Sequence, residues 1–312
     1  MTDRHRPMGR RSNDRVIGAS SGIQQAVQQA MTGARSQLSV LVMGPGGSGK
    51  RHFARAIHEW SKVSGGPFVV MSAAGTAQAL QERELFGVAE TSQPLLSGGY
   101  EGALERAAGG SLVIDDIDQL GAPLRAALIQ AIKDGGFRCV GQKAPLELQA
   151  RIIATTQRTS GNLLGDLTVQ EVRLPPLSER NEDVLPLAAH FLAECAAESG
   201  TTPVGFTRDA RRWLLEESWP GNVRELWERV RHAVRLAGKG AISAEALMLA
   251  AEGDELPSFK EAKRAFETRY VEGLLRRCSG NISRAARLAK KDRKDFYDVI
   301  RRTGVDPSQF RG

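Results

Sequence analysis

Cysteine is scarce in this chain. Among 312 residues there are three, Cys139, Cys195 and Cys278. They are odd in number and far apart, which argues against a disulfide framework and a zinc site and fits a reducing cytoplasm. Aromatic residues reach only 5%, beside 41% hydrophobic and 25% charged. That balance excludes collagen-like, mucin-like and wholly disordered classes. No apolar run approaches the ~18 residues needed to cross a bilayer. Arg4, Arg6, Arg10 and Arg11 make the N-terminus basic. No apolar segment follows them, so a secretory signal is excluded, and residues 1–15 read as a disordered basic arm.

What the chain does have is positive charge concentrated at one end. Residues 258–312 hold 15 Lys and Arg against 7 Asp and Glu, a net of +8, whereas the whole chain nets +7. A compact basic module on a neutral body points to a polyanion such as nucleic acid.

Apolar strands and helical patterns alternate through the first half. Leu38–Met43, Pro67–Met71, Ser111–Asp115 and Arg151–Thr155 read as buried strands, and Lys50 to about Val63 as a helix. Such alternation predicts a parallel sheet covered on both faces. From about residue 181 the pattern is helical only, with Val184, Leu187, Ala188, Phe191 and Leu192 at helical spacing. The expected organisation is an α/β core over 16–178, a helical lid over 179–251, a linker over 252–257 and an all-α module over 258–312. Ser258 and Glu261 form a capping-box pattern at the start of that module.

Gly44-Pro-Gly-Gly-Ser-Gly-Lys50 follows a strand and precedes a helix. In that setting GxxxxGK is a P-loop, whose glycines let backbone N–H groups turn toward phosphate oxygens at a helix N-terminus. Gly44, Gly46, Gly47, Ser48 and Gly49 are the expected cradle, and Lys50 reaches the β- and γ-phosphates of ATP or ADP. The next position, often a hydroxyl on Mg²⁺, is Arg51. Asp115 at the end of a strand would hold Mg²⁺ through water, and Asp116 would orient an attacking water.

These stretches resemble the AAA+ domain of bacterial enhancer-binding proteins, the activators of sigma-54 RNA polymerase. The resemblance rests on Val16-Ile-Gly18, the P-loop, Glu84-Leu-Phe-Gly87, Gly109–Asp116, Arg151–Thr156, Leu174-Pro-Pro-Leu177 and Trp219-Pro-Gly-Asn-Val-Arg-Glu-Leu226. It implies an αβα P-loop core, a helical lid and a Fis-type helix-turn-helix; no receiver or other sensory domain is expected ahead of the core. It adds Ile17, Gly18, Gln157 and Arg224 to the nucleotide-binding residues. Arg224 would close the lid onto the γ-phosphate.

The departures from the family run in one direction. Thr91-Ser-Gln-Pro-Leu-Leu96 stands where members carry the GAFTGA loop that touches the sigma factor. Ser160 and Asp166 occupy the aligned arginine-finger positions, Ser72 replaces an Asn, and Gln157 replaces the sensor Asn. Arg51 replaces a Glu. An arginine finger is worth roughly 10³–10⁵ in rate in related chemistry. Its loss costs hydrolysis far more than binding, although Arg151, Arg158, Arg173 and Arg180 lie near enough in sequence to substitute.

In the basic module, Asn281 caps a helix to Ala289, Lys290-Lys-Asp292 turns, and Arg293 to Arg302 forms a second helix. Phe296, Val299 and Ile300 are expected to pack on Ala285 and Leu288. Arg293, Lys294, Tyr297 and Arg301 would face a major groove of double-stranded DNA, with Arg284 and Arg287 on phosphates. The helix before them packs on this hairpin or pairs two subunits. The leading expectation is a cytoplasmic, sequence-specific transcription regulator. Its AAA+ domain binds nucleotide as a switch or assembly module, with weak or no hydrolysis and without standard sigma-54 activation. It would form a homo-oligomer, a dimer through the C-terminal module and higher through the core, with RNA polymerase or another regulator as partner. The alternatives are an ATP-hydrolysing sigma-54 activator with a diverged loop, and an oligomerising module with a vestigial site.

Overall fold

The computed structural model describes residues 16–89, 99–142, 144–158, 163–199, 205–237, 240–250 and 259–310. Side chains are described for all of these but 199, 259–266, 269 and 308. The basic arm, the Thr91–Leu96 stretch, Ser160, the 252–257 linker and the Ser258–Glu261 capping box fall outside that set.

The strands in chain order are β1 (Ser39–Met43), β2 (Phe68–Ser72), β3 (Ser111–Asp115), β4 (Gly136–Phe137), β5 (Leu146–Glu147), β6 (Arg151–Thr156) and β7 (Val169–Arg173). Five of them form one parallel sheet in the order β2-β3-β6-β1-β7, and β4 and β5 make a small antiparallel pair. Successive side chains point to opposite faces of a strand, so apolar runs on the central strands supply two cores. Val40, Val42, Val113 and Ile153 face α1 (Ser21–Arg35) and α2 (Lys50–Glu59), against Ile23, Ala26, Ala30, Phe53 and Ile57. Leu41, Met43, Leu112, Ile114, Ile152 and Ala154 face the other way. They meet Leu85 of α3 (Gln78–Phe86), Leu104 of α4 (Ala103–Arg106) and Leu128 of α5 (Ala122–Asp134).

Helix α1 was not legible in the sequence. Its N-cap Ser20 accepts from the Ile23 amide, and its buried face is mostly small: Ala26, Ala30, Gly33 and Ala34. Arg151 donates to the Gly33 and Ala34 carbonyls in its last turn, and the Gly33 carbonyl also accepts from the C-cap residue Ser36.

After β7 the chain is helical: α6 (Val184–Ser199), α7 (Arg208–Glu216), α8 (Asn222–Ala237) and α9 (Ala244–Leu249). These close around Leu177, Leu192, Leu214, Trp219, Leu226, Val230 and Leu247. Trp219 is fully buried, donates from Nε1 to the Leu214 carbonyl at 2.9 Å, and meets Trp213 edge-on at 5.8 Å.

The last three helices are α10 (Phe259–Arg277), α11 (Ile282–Leu288) and α12 (Arg293–Thr303). Asn281 Oδ1 accepts from the Arg284 amide at 3.1 Å, as its capping role requires. Phe296 and Ile300 are buried with Ala285, Val271 and Leu275. One expectation fails here: Leu288 is 56% exposed and takes no part in this core. Lys290 adopts a left-handed φ of 51°, and the chain turns from the end of α11 directly into α12. The buried positions on α11 are Ala285 and Ala286.

Candidate functional site

The P-loop links the C-terminal end of β1 to the N-terminus of α2. Gly49 has φ 104° and Gly47 has φ 72°, both in the left-handed region. At Gly47 the reason is also steric, because a Cβ there would lie 2.2 Å from the Gly221 carbonyl oxygen. The loop is held from behind by the segment leading into α8. Asn222 Nδ2 donates to the Gly46 carbonyl at 2.9 Å, and the Arg224 amide donates to the Gly47 carbonyl at 3.1 Å. Asn222 Oδ1 accepts from the Leu177 amide at 2.7 Å. One buried side chain thus ties the P-loop, the strand-to-lid connection and α8 together.

Lys50 donates from Nζ to the carbonyls of Gly44 at 3.0 Å and Pro45 at 3.1 Å. An ammonium has three donors, so one remains for a ligand. Burial pulls the Lys50 pKa below its ordinary value, and Arg224 adds to that. Asp116, Asp115 and Asp118 oppose it and favour the charged form.

A cleft of about 470 Å³ opens between the P-loop and the helical segment. Of the residues named from sequence, Ile17, Gly46, Gly47, Ser48, Gly49, Lys50, Arg51, Asp115, Asp116, Gln157 and Arg224 line it. Gly18 and Gly44 do not. Gly18 packs against Ile23 and Asp183, and Gly44 acts through its carbonyl on Lys50. Sequence reasoning missed the contribution of α6, whose Leu187, His190, Phe191 and Glu194 form the opposite wall with Val223 and Trp227 of α8. Arg180 also lines the cleft. It is buried, and its Nη2 donates to the Ser48 carbonyl at 3.0 Å. Burial lowers its pKa, opposed by Asp183. Ser48 Oγ and Arg180 Nε are buried with no hydrogen-bond partner among the described residues. Unpaired buried donors are costly, and both residues lie on the wall of a cleft whose lining suits a phosphate.

The metal end is built differently from expectation. Arg51 Nε lies 2.8 Å from Asp115 Oδ2, and Thr155 Oγ1 donates to Asp115 Oδ1 at 2.5 Å. Both oxygens of the carboxylate meant for Mg²⁺ are engaged, one by a cation. A divalent ion held through Asp115 would have to share that carboxylate with the Arg51 guanidinium or displace it. Asp116 sits at φ 54°, its amide donating to Thr155 Oγ1 at 3.1 Å. Ser72 Oγ is occupied in a local turn with the Gly75 amide.

The four arginines considered as replacement fingers are largely committed within their own chain. Arg151 holds the end of α1, Arg180 holds the P-loop, and Arg173 pairs with Glu171. Arg158 lies 4.0 Å from Asp118. At the aligned finger position, Asp166 is 91% exposed and faces Lys133 at 3.8 Å.

In the C-terminal helices, Arg284, Arg287, Arg293, Lys294, Tyr297 and Arg301 are all exposed. Arg302 is instead tied to Glu267 on α10 through two hydrogen bonds, at 2.7 and 3.0 Å. Among the described residues no helix is long and apolar enough to cross a membrane, and no cluster of acidic, His and Cys side chains forms a metal centre.

Comparison with known proteins agrees with this architecture. Residues 16–173 match the sigma-54 interaction domain, and residues 178–263 match the AAA+ ATPase lid domain. The transcriptional regulatory protein GlrR of Escherichia coli (strain K12) is 33% identical, over 96% of this chain and 70% of its own length. The anaerobic nitric oxide reductase transcription regulator NorR of Enterobacter sp. (strain 638) is 30% identical, over 93% of this chain and 63% of its own length. Among solved structures, NtrX from Brucella abortus in complex with ADP superposes with a TM-score of 0.69 at 28% identity, covering 94% of this chain and 71% of that one. The same protein in complex with ATP gives 0.68 at 28% identity, covering 93% and 70%. With its parallel αβα P-loop core, its helical lid and these matches, the chain belongs to the family of AAA+ regulators that carry the sigma-54 interaction domain, the bacterial enhancer-binding proteins.

Proposed function

We propose that this protein is a sequence-specific DNA-binding transcription regulator whose AAA+ core binds ATP or ADP as a switch and turns it over slowly or not at all. The observation that carries the reading is the direct bonding of the lid to the P-loop. Asn222 and Arg224 hold the carbonyls of Gly46 and Gly47, while the side chains of α6 and α8 line the same cleft as Lys50. A nucleotide between them touches both bodies, so its presence, and that of its γ-phosphate, biases the lid position. The NtrX structures holding ADP and ATP support a nucleotide in this cleft. Weak hydrolysis follows from Asp116 in place of the longer Glu, from Ser72 and Gln157 at two polar family positions, and from Asp166 at a finger position. Thr91–Leu96 in place of GAFTGA argues against standard sigma-54 activation.

The exposed basic residues of α11 and α12 are the DNA-reading surface in this proposal. The C-terminal module pairs two subunits on a palindromic site, and the core supports higher assembly. Calorimetry with ATP and ADP on the full chain, together with a phosphate-release assay with and without cognate DNA, tests it. Binding that Lys50→Ala abolishes, with negligible phosphate release, is the expected result. Fast turnover would mean a working motor, and the sigma-54 activator reading would replace this one.

A further inference from the structure

The P-loop carries a fixed cation where this chemistry ordinarily calls for an exchangeable one. Arg51 is the first residue after Lys50, in the first turn of α2, where P-loops in general often carry a hydroxyl that reaches Mg²⁺. Its guanidinium is drawn back to the end of β3 by Asp115, Nε to Oδ2 at 2.8 Å. Arg51 and Asp115 both line the cleft. That ion pair places the guanidinium, on a side chain that is 59% exposed, at the phosphate end of the site and occupies an oxygen that a metal or its water would use. A guanidinium has five N–H donors in a planar fork. Nε is committed to Asp115, so the two terminal amino groups remain to donate to phosphate oxygens in the bidentate manner that suits this group. A divalent ion placed between Asp115 and the phosphates would sit beside a permanent positive charge that repels it.

We propose that the site takes metal-free nucleoside di- and triphosphates, with Arg51 supplying the charge against the terminal phosphate that a bound divalent cation supplies elsewhere. This rests on the nucleotide reading above. The arrangement binds the ground state without the ion that stabilises an in-line displacement, and so makes the site a sensor of nucleotide rather than a site of turnover. It also explains why a carboxylate at the end of a buried strand can be spent on a structural ion pair.

The test is calorimetry on the full chain, titrating ADP and ATP once in excess EDTA and once in excess Mg²⁺. Wild-type dissociation constants are expected to agree within about threefold between the two conditions, since the charge is covalently attached. Arg51→Thr is expected to lose about tenfold or more in EDTA, the size of one charge-assisted hydrogen bond, and to recover part of it with Mg²⁺. The pair is on the surface side of the cleft, and a thermal unfolding midpoint confirms that the variant is folded. Wild-type binding that is tenfold or more tighter with Mg²⁺, about one charge-assisted bond's worth, overturns the inference and leaves the nucleotide reading intact. So does an Arg51→Thr protein with unchanged affinity in EDTA. Absence of binding in both conditions overturns the nucleotide reading itself, and this inference falls with it.

Discussion

Replacing Asn222 by Ala is expected to destabilise the lid against the core by about 2–4 kcal/mol, on two separate grounds. The first is conformational. Asn222 sits at φ 56°, a region that Asn tolerates and that costs Ala roughly 1 kcal/mol or more. The second is the loss of partners. The side chain is buried, accepts from the Leu177 amide at 2.7 Å and donates to the Gly46 carbonyl at 2.9 Å. Stranding a buried backbone N–H costs about 1–3 kcal/mol. A matched Asn222→Gly change separates the two, because it loses the same bonds without the φ penalty. It should be about 1 kcal/mol less destabilising than Ala. Urea unfolding followed by tryptophan fluorescence reads this directly, since Trp213, Trp219 and Trp227 all lie in the lid. An Ala variant within about 0.5 kcal/mol of wild type, the range of an ordinary surface change, would refute the clamp. A Gly variant no better than Ala would refute the conformational half.

Two further expectations test other parts of the fold. In the C-terminal helices, Phe296→Ala should cost about 3–5 kcal/mol while Leu288→Ala should stay within about 0.5 kcal/mol, as read by denaturation of the two variants; equal effects would contradict the observed packing. His58 is buried, bonded through Nδ1 to Ser111 Oγ at 2.9 Å, and held below its ordinary pKa by burial first and by Arg55 and Arg151 next. The unfolded chain then takes up a proton before the folded one, so His58's contribution is complete above about pH 6.5 and falls as pH drops toward the folded pKa, by at most about 1.4 kcal/mol per unit. His58→Gln should flatten the wild-type loss of stability between pH 7.5 and 5, roughly the window set by that ordinary value; an unchanged slope would sink the assignment.

Much of the site could be read in advance because its signals are local. A strand, a glycine-rich loop and a lysine at fixed spacing specify a P-loop within a dozen residues, and the Asn281 cap and the Phe296 and Ile300 stripe lie within single helices. Helix α1 escaped notice because, apart from Ile23, its buried face is Ala and Gly. Those residues are chosen for close approach to the sheet and carry little hydrophobic signal. Strand β7 has only Val172 fully buried, so an edge strand with Gln and Glu between its valines carries too weak an apolar signal to be assigned from sequence. Leu288 misled because a seven-residue helix leaves its rotation undetermined until neighbours pack on it.

The residue types alone determined the class of chemistry: a phosphate cradle, two carboxylates at a strand end, a basic terminal module, and the departures from the family at Ser72, Asp116, Gln157 and Asp166. The tertiary structure decided who meets whom. Arg51 and Asp115 are 64 positions apart and come together because β1 and β3 flank β6 in the sheet, which brings the start of α2 beside the end of β3. Arg180 reaches Ser48 across 132 positions, and Asn222 reaches Gly46 across 176. Spacing along the chain encodes local conformation. It carries no record of which strand order closes those gaps, because that order is chosen by the packing of apolar faces far from any of these residues.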